Sequence, residues 1–145
     1  MDKLRDISLS SMIDSIPENI KSAFLPFIFE KGDIVIKEGD PVNYGYFVID
    51  GTYDVLKSDF NERSYLIERK KNGGLISFMD IYSGKLIQCA TICAVSKMKG
   101  YKIPVSQCFR LLYTPSLFQP YLIRIWADQF YTTNVEQRNL PLYSY

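Results

Sequence analysis

The chain has 145 residues and a formal net charge of +1, with 47% hydrophobic and 23% charged residues. This length suits one domain, and the composition is that of a globular protein rather than a disordered one. A net charge so close to zero provides no field to hold a polyanion, so we expect no DNA binding by this chain alone. Histidine is absent, which excludes Ser-His-Asp and Cys-His catalysis, histidine-based metal sites and histidine haem ligation. We expect a protein that is not an enzyme and carries no cofactor or metal.

Targeting signals are also missing from the sequence. No run approaches the roughly 18 apolar residues of a membrane span, and residues 1–6 alternate in charge without a following apolar region, unlike a secretory peptide. The three cysteines, Cys89, Cys93 and Cys108, are odd in number and scattered, which argues against a disulfide framework. We interpret them as buried structural thiols in a cytoplasmic protein.

Residues 1–26 are predicted to form a polar helical segment. Ser15 and Glu18 have the spacing of a capping box that starts a second short helix. Pro26 is expected to end the segment.

Residues 27–104 contain short apolar segments separated by turns, at the spacing of about 8–12 residues that is typical of an antiparallel sandwich or barrel. Asp50-Gly51 is the strongest signal for a two-residue hairpin. Residues 86–95 are predicted to form one continuous strand. The basic residues 69–71 are interpreted as part of a solvated turn.

Residues 105–140 are predicted to be helical. From residue 116 to residue 134, apolar side chains recur at intervals of three and four, which indicates one face of a long helix. Its apolar positions are Phe118, Tyr121, Leu122, Ile125, Trp126 and Phe130. Pro141 is expected to stop it.

Residues 29–55 read FEKGDIVIKEGDPVNYGYFVIDGTYDV. The Lys-Gly-Asp turn at Gly32, the Glu-Gly-Asp turn at Gly39, the Tyr-Phe-Val-Ile strand and Gly51 closely resemble the effector domain of the Crp/Fnr bacterial transcription regulators. This resemblance, over residues 20–135, implies a mainly β fold: a double-stranded β-helix jelly roll, of the cyclic-nucleotide-binding-domain type, with short N-terminal helices and a long C-terminal dimer helix. The three glycines lie where jelly-roll corners need positive φ, so we interpret them as turn residues.

Family members that bind cyclic nucleotides use a Gly-Glu pair for the ribose and an arginine, just before an Ala-Thr strand, for the cyclic phosphate. In this chain the corresponding segment, residues 73–92, reads GGLISFMDIYSGKLIQCATI. Ser77-Phe78 stands in place of Gly-Glu, and Gln88 in place of the arginine. A glutamine cannot neutralise a buried phosphate, so we expect no response to cyclic AMP.

The apolar and aromatic replacements leave two interpretations open. Either this segment forms a pocket for a small uncharged or aromatic effector, or its side chains simply fill the barrel. The candidate ligand-binding residues are Ser77, Phe78, Met79, Tyr82, Gln88, Thr91 and Trp126.

The resemblance also implies partners. A homodimer through the long helix is expected, and DNA contact would belong to a helix-turn-helix domain following residue 145, where this chain stops. The alternative is a stand-alone module that binds a small molecule or a protein. A cupin enzyme would need histidines as metal ligands, and a kinase or channel regulatory domain would need the arginine that Gln88 replaces.

Overall fold

The computed structural model describes residues 7–71 and 73–138, with only the backbone described from residue 130 onward. The chain divides into two compact units, one containing the first and last helices and the other containing residues 17–114. The domain boundaries expected from the sequence, after residues 26 and 104, remain predictions. In chain order the elements are α1 (Leu9–Asp14), α2 (Glu18–Lys21), β1 (Leu25–Phe29), β2 (Ile34–Ile36), β3 (Tyr44–Asp50), β4 (Tyr53–Ser58), β5 (Ser64–Lys70), β6 (Gly74–Ile76), α3 (Phe78–Tyr82), β7 (Thr91–Ala94), β8 (Met98–Pro104), α4 (Val105–Tyr113) and α5 (Phe118–Arg138).

The strands form two antiparallel sheets, which confirms the predicted mainly β class. The first sheet has the order β1-β8-β3-β6 and the second has the order β2-β7-β4-β5. Apolar side chains from both sheets form one buried cluster, because alternate residues of each strand point to the same face. Its buried members are Phe27, Val35, Tyr46, Val48, Tyr53, Ile76, Ile92, Ala94 and Met98.

The predicted hairpin at Asp50-Gly51 is wrong, because β3 and β4 belong to different sheets. A two-residue type I′ turn needs positive φ at both central residues, and here Gly51 has a φ of +121° whereas Asp50 has no positive φ. A Cβ atom at Gly51 would lie 2.7 Å from the carbonyl oxygen of Lys97. At Gly51 the chain therefore passes from the first sheet to the second, close to the backbone of Lys97. The turn glycines Gly32 and Gly39 both have a φ of +92°, as predicted.

The predicted strand over residues 86–95 is also wrong in its first half, since β7 begins at Thr91. The Gln88 backbone is bonded to the turn before β3 instead: its N–H donates to the Asp40 carbonyl at 2.8 Å, and its carbonyl accepts from the Gly39 N–H at 3.0 Å. The basic residues 69–70 lie on β5 rather than in a turn. There Arg69 pairs with its cross-strand partner Asp54 through two hydrogen bonds of 2.6 and 2.9 Å.

The predicted capping box does not form. Helix α2 is preceded by Pro17 and has no side-chain cap, whereas α1 is capped by Ser8, whose Oγ accepts from the Ser11 N–H at 3.0 Å. Ser15 lies at the C-terminal end of α1, where its hydroxyl donates to the Met12 carbonyl at 2.6 Å and accepts from the Leu117 N–H at 2.9 Å. Pro26 does not end a helical segment either, because β1 has already begun at Leu25.

The predicted long C-terminal helix is present as α5. Phe118 and Leu122 are buried on one face, Tyr121 and Ile125 are half-buried, and Ile123 is 65% exposed. The side chain of Phe130 and the stop at Pro141 lie outside the described residues. No helix within the described ranges has both the length and the apolar character needed to cross a bilayer.

Candidate ligand-binding site

Strand β3 separates two environments. Tyr46 and Val48 point into the cluster between the sheets. Because successive residues of a strand face opposite sides, Gly45 and Phe47 lie on the outer face of the first sheet. Helices α3 and α4 pack on β3.

Phe78 and Tyr82, two predicted ligand residues, lie on this outer face. Phe78 is 1% exposed, and its ring centroid is 4.9 Å from that of Phe47. The ring lies directly over Gly45, where a Cβ atom would come within 2.7 Å of it. The Tyr82 hydroxyl donates to the Cys108 carbonyl at 2.6 Å. We call Phe47, Phe78, Tyr82 and Cys108 the outer cluster.

Burial governs the ionisable groups of the outer cluster. It raises the pKa of the Tyr82 phenol well above its usual range and raises the pKa of the Cys108 thiol to about 12. Both groups therefore stay neutral at physiological pH. The outer cluster is an uncharged part of the core, in which Tyr82 is half-buried and the other three side chains are buried.

Ser77 precedes α3 in the left-handed conformation, with a φ of +72°. An L-residue pays about 1–2 kcal/mol for this conformation, which glycine adopts freely. Ser77 makes no capping bond to α3, and its hydroxyl instead donates to Gln88 Oε1 at 3.1 Å. The structure therefore brings together Ser77 and Gln88, two of the predicted ligand residues.

Gln88 is 4% exposed and is held by its backbone bonds to the turn before β3. Thr91 supports the same turn, because its Oγ1 accepts from the Glu38 N–H at 2.9 Å. Met79, in contrast, is 50% exposed on α3. Trp126 lies on α5 in the other compact unit and is half-buried. The roles predicted for these residues in ligand binding remain predictions.

A cleft of about 210 Å³ opens between β2 of the second sheet and β3 of the first. Gln88 is the predicted ligand residue that lines it, with Val35, Ile36, Lys37, Asp40, Pro41, Asn43, Tyr44 and Tyr46. The Tyr44 and Tyr46 ring centroids are 6.3 Å apart, and the ammonium group of Lys102 lies 4.4 Å from the Tyr44 ring centroid. Sequence reasoning missed both tyrosines, although their spacing of two on one strand is the signal that they share a face.

The three cysteines differ in exposure. Cys108 is buried as predicted, Cys93 is half-buried and Cys89 is exposed, so the prediction of buried thiols is wrong for Cys89. Its sulfur lies 3.4 Å from both carboxylate oxygens of Asp80. Partial burial and the Asp80 carboxylate raise the pKa of this thiol.

The family model of the cyclic nucleotide-binding domain matches residues 26–114. The chain belongs to this family. The match contains both sheets, the outer cluster and the cleft. No protein of curated function matches the chain in sequence.

Solved structures share this fold at low identity. The catabolite activator protein of Thermus thermophilus has a TM-score of 0.68 and 16% identity, over 83% of this chain and 56% of that one. The sensor domain of the transcriptional regulator DNR from Pseudomonas aeruginosa has a TM-score of 0.66 and 13% identity, over 99% of this chain and 95% of that one. A cAMP-binding acyltransferase from Mycobacterium smegmatis has a TM-score of 0.66 and 19% identity, over 74% of this chain and 33% of that one. The chain thus spans little more than half the length of the activator protein it resembles.

Proposed function

We propose that the chain is the effector-sensing and dimer-forming domain of a Crp/Fnr-type transcription regulator that does not respond to cyclic AMP. It is not itself an enzyme, and DNA contact belongs to a domain outside this chain. The family match and the fold shared with the Pseudomonas aeruginosa sensor domain support a sensory role. The absence of a response to cyclic AMP rests on the chemistry of Gln88.

The observation that carries this proposal is the Ser77–Gln88 pair. Gln88 occupies the position of the phosphate-binding arginine and is almost fully buried, with its carboxamide oxygen bonded to Ser77. A neutral amide offsets none of the cost of burying a cyclic phosphate, which amounts to several kcal/mol for an unpaired charge. The neighbouring cations do not replace the arginine. Lys37 is exposed and Lys102 lies over the Tyr44 ring, and an ammonium group lacks the planar two-pronged geometry of a guanidinium group.

The ribose contact is replaced as well. Phe78 stands where the family's glutamate contacts the ribose, and its ring is enclosed in the outer cluster. A phenyl ring offers no carboxylate oxygen to accept a hydrogen bond from a ribose hydroxyl. Both substitutions therefore act in the same direction, against cyclic-nucleotide binding.

Titration calorimetry with cyclic AMP and cyclic GMP tests this proposal. We expect no saturable heat at nucleotide concentrations up to about 1 mM, which corresponds to a binding free energy weaker than about −4 kcal/mol. A cooperative thermal unfolding transition of the same sample shows that the chain is folded. Saturable binding of either nucleotide with a micromolar Kd would contradict the proposal.

The dimer is proposed through α5. Phe118 and Leu122 are buried on one face of this helix, whereas Ile123, one residue further along, leaves most of its side chain exposed. An exposed isoleucine on a long helix suits a helix–helix interface between two copies related by two-fold symmetry.

Sedimentation equilibrium of the Ile123→Asp variant tests this interface. We expect the wild-type chain to sediment as a dimer and the variant as a monomer, because a carboxylate buried at the interface would lack a counter-charge. The matched control is Ile28→Asp, since Ile28 on β1 is 62% exposed; this variant should remain a dimer. A monomeric wild-type chain, or a dimer that tolerates Ile123→Asp, would contradict the role of α5.

A further inference from the structure

The cleft contains polar groups that the chain itself does not satisfy. Gln88 and Tyr46 are 4% and 7% exposed, and both line the cleft. Gln88 uses its carboxamide oxygen to accept from Ser77, and within the described part of the chain neither its Nε2 group nor the Tyr46 hydroxyl has a hydrogen-bond partner. Neither atom is completely sealed from the surface. The two groups therefore face the cleft, where a bound molecule can satisfy them.

These groups are neutral. Burial raises the pKa of the Tyr46 phenol, and the neighbouring Tyr44 raises it further, so Tyr46 keeps its proton at physiological pH. The two charged residues of the lining, Lys37 and Asp40, have opposite signs. The hydrogen-bonding groups inside the cleft consequently favour an uncharged partner over an ion.

The walls of the cleft restrict the shape of its occupant. On one side are the rings of Tyr44 and Tyr46 from β3, and on the other are Val35 and Ile36 from β2. A gap between an aromatic wall and an aliphatic wall favours a flat molecule, which can stack on one ring because the two rings are inclined at 63° to each other. At about 210 Å³, the cleft is smaller than the pockets of about 300–1,000 Å³ that hold drug-sized ligands.

We propose that this cleft binds a small, planar, uncharged compound whose carbonyl oxygen or ring nitrogen accepts a hydrogen bond from Gln88 Nε2, with a second polar contact to the Tyr46 hydroxyl. This inference rests on the proposed function, because it assumes that the site no longer binds a cyclic phosphate. It assigns the effector site to Gln88 and Tyr46, with no contact required from the enclosed Phe78 ring.

A set of three similarly sized probes tests the proposal. Benzamide is planar, neutral and carries a carbonyl acceptor; benzoate has nearly the same shape but is anionic; toluene lacks the polar group. We expect benzamide to shift the backbone amide NMR signals of residues 35–46 and 88 with a Kd of about 1 mM or lower, a strength suited to a ligand of this size. Benzoate and toluene should bind at least about ten times more weakly, because benzoate is charged and toluene has no hydrogen-bond acceptor.

Two variants assign the contacts. Gln88→Leu removes the amide donors at similar volume, and Tyr46→Phe removes only the hydroxyl. Each should weaken benzamide binding by about three- to tenfold without weakening toluene binding, as expected for the loss of one neutral hydrogen bond. Gln107→Leu is the matched control. Gln107 lies on α4, where its side chain accepts from Arg110, and this variant should bind benzamide like the wild type.

The outcomes separate this inference from the proposed function. If neither benzamide nor cyclic AMP binds, the inference fails and the proposed function stands. If benzoate binds more tightly than benzamide, the site is anion-selective through Lys37 and the inference fails. If benzamide binds equally well to Gln88→Leu and Tyr46→Phe, the assigned contacts are wrong. If cyclic AMP binds with a micromolar Kd and displaces benzamide, the proposed function fails and the inference fails with it.

Discussion

The two faces of strand β3 differ in how completely they are filled. On its outer face, Phe47 and Phe78 pack ring against ring, and the Phe78 ring fills the space over Gly45. On its inner face, Tyr44 and Tyr46 line a cleft of about 210 Å³ that no side chain closes within the described part of the chain. The outer face is packed with apolar side chains, whereas the inner face borders a partly polar cleft.

This difference separates two residues that the family resemblance assigns to ligand positions. Phe78, expected in place of the glutamate, is part of the hydrophobic core. Gln88, expected in place of the arginine, lines the cleft and accepts a hydrogen bond from the Ser77 hydroxyl. Phe78 contributes to stability, whereas Gln88 makes the cleft polar without charging it.

The largest expected effect concerns the closed face. Phe78→Ala should lower the free energy of unfolding by about 3–5 kcal/mol, because it removes a fully buried ring and leaves a cavity against Phe47. Urea denaturation measures this effect. Met79→Ala is the matched control on the same helix; since Met79 is half exposed, its loss should cost less than about 1 kcal/mol. Similar effects of the two substitutions would show that the outer cluster is not a filled core.

A second prediction concerns how the free energy of unfolding depends on pH through the outer cluster. The pKa of Cys108 is raised from 9.0 to about 12 by burial, so between these values the folded chain holds a proton that the unfolded chain has released. The contribution of the Cys108 thiol to the free energy of unfolding is complete below pH 9. It falls by about 1.4 kcal/mol per pH unit as the pH rises toward 12. Urea denaturation at pH 8.5, 9.5 and 10.5 measures this slope.

Cys108→Ala provides the comparison for the pH series. The variant should be less stable at pH 8.5, because it loses a buried sulfur, but its stability should fall less steeply with pH. Both chains retain Cys89 and all tyrosines, so the difference between their slopes reports mainly the Cys108 thiol, with a smaller part from Tyr82, whose pKa Cys108 also raises. Parallel slopes would contradict a buried, neutral thiol in the outer cluster.

Local sequence signals predicted the strands that have clear turns at their ends. Gly32 and Gly39 mark turns with positive φ on both sides of β2, and β2 covers the predicted residues. The hairpin predicted at Asp50-Gly51 was wrong because the composition of a turn indicates only that the chain bends there. Which strands pair is decided by the packing of the whole sandwich. Strand β3 pairs with β8, more than 40 residues away in sequence, and a two-residue signal contains no information about that partner.

Candidate ligand residues were predicted from the sequence one by one, but the cleft was not. Gln88 and Ser77 were singled out by their places in the segment that resembles the family, and their roles in ligand binding stay predictions. The cleft was missed because it depends on Val35 and Tyr46, which belong to different sheets, and their separation is a tertiary property. Phe78 and Tyr82 were grouped with Gln88 because they share a segment, but α3 turns their side chains to the opposite face of the sheet from the cleft.

The smallest expected effect concerns Ser77, which precedes Phe78 of the outer cluster and donates a hydrogen bond to Gln88 at the cleft. Ser77→Ala and Ser77→Gly both remove the hydroxyl that donates to Gln88, so the lost hydrogen bond is common to them. They differ in the backbone, because alanine is strained at a φ of +72° and glycine is not, while glycine costs more chain entropy on folding. Ser77→Gly should therefore be more stable than Ser77→Ala by about 0.5–1 kcal/mol in urea denaturation. If the alanine variant were the more stable, the residue before α3 would not be left-handed, and the wild-type Ser77–Gln88 contact at the cleft would need a different backbone to support it.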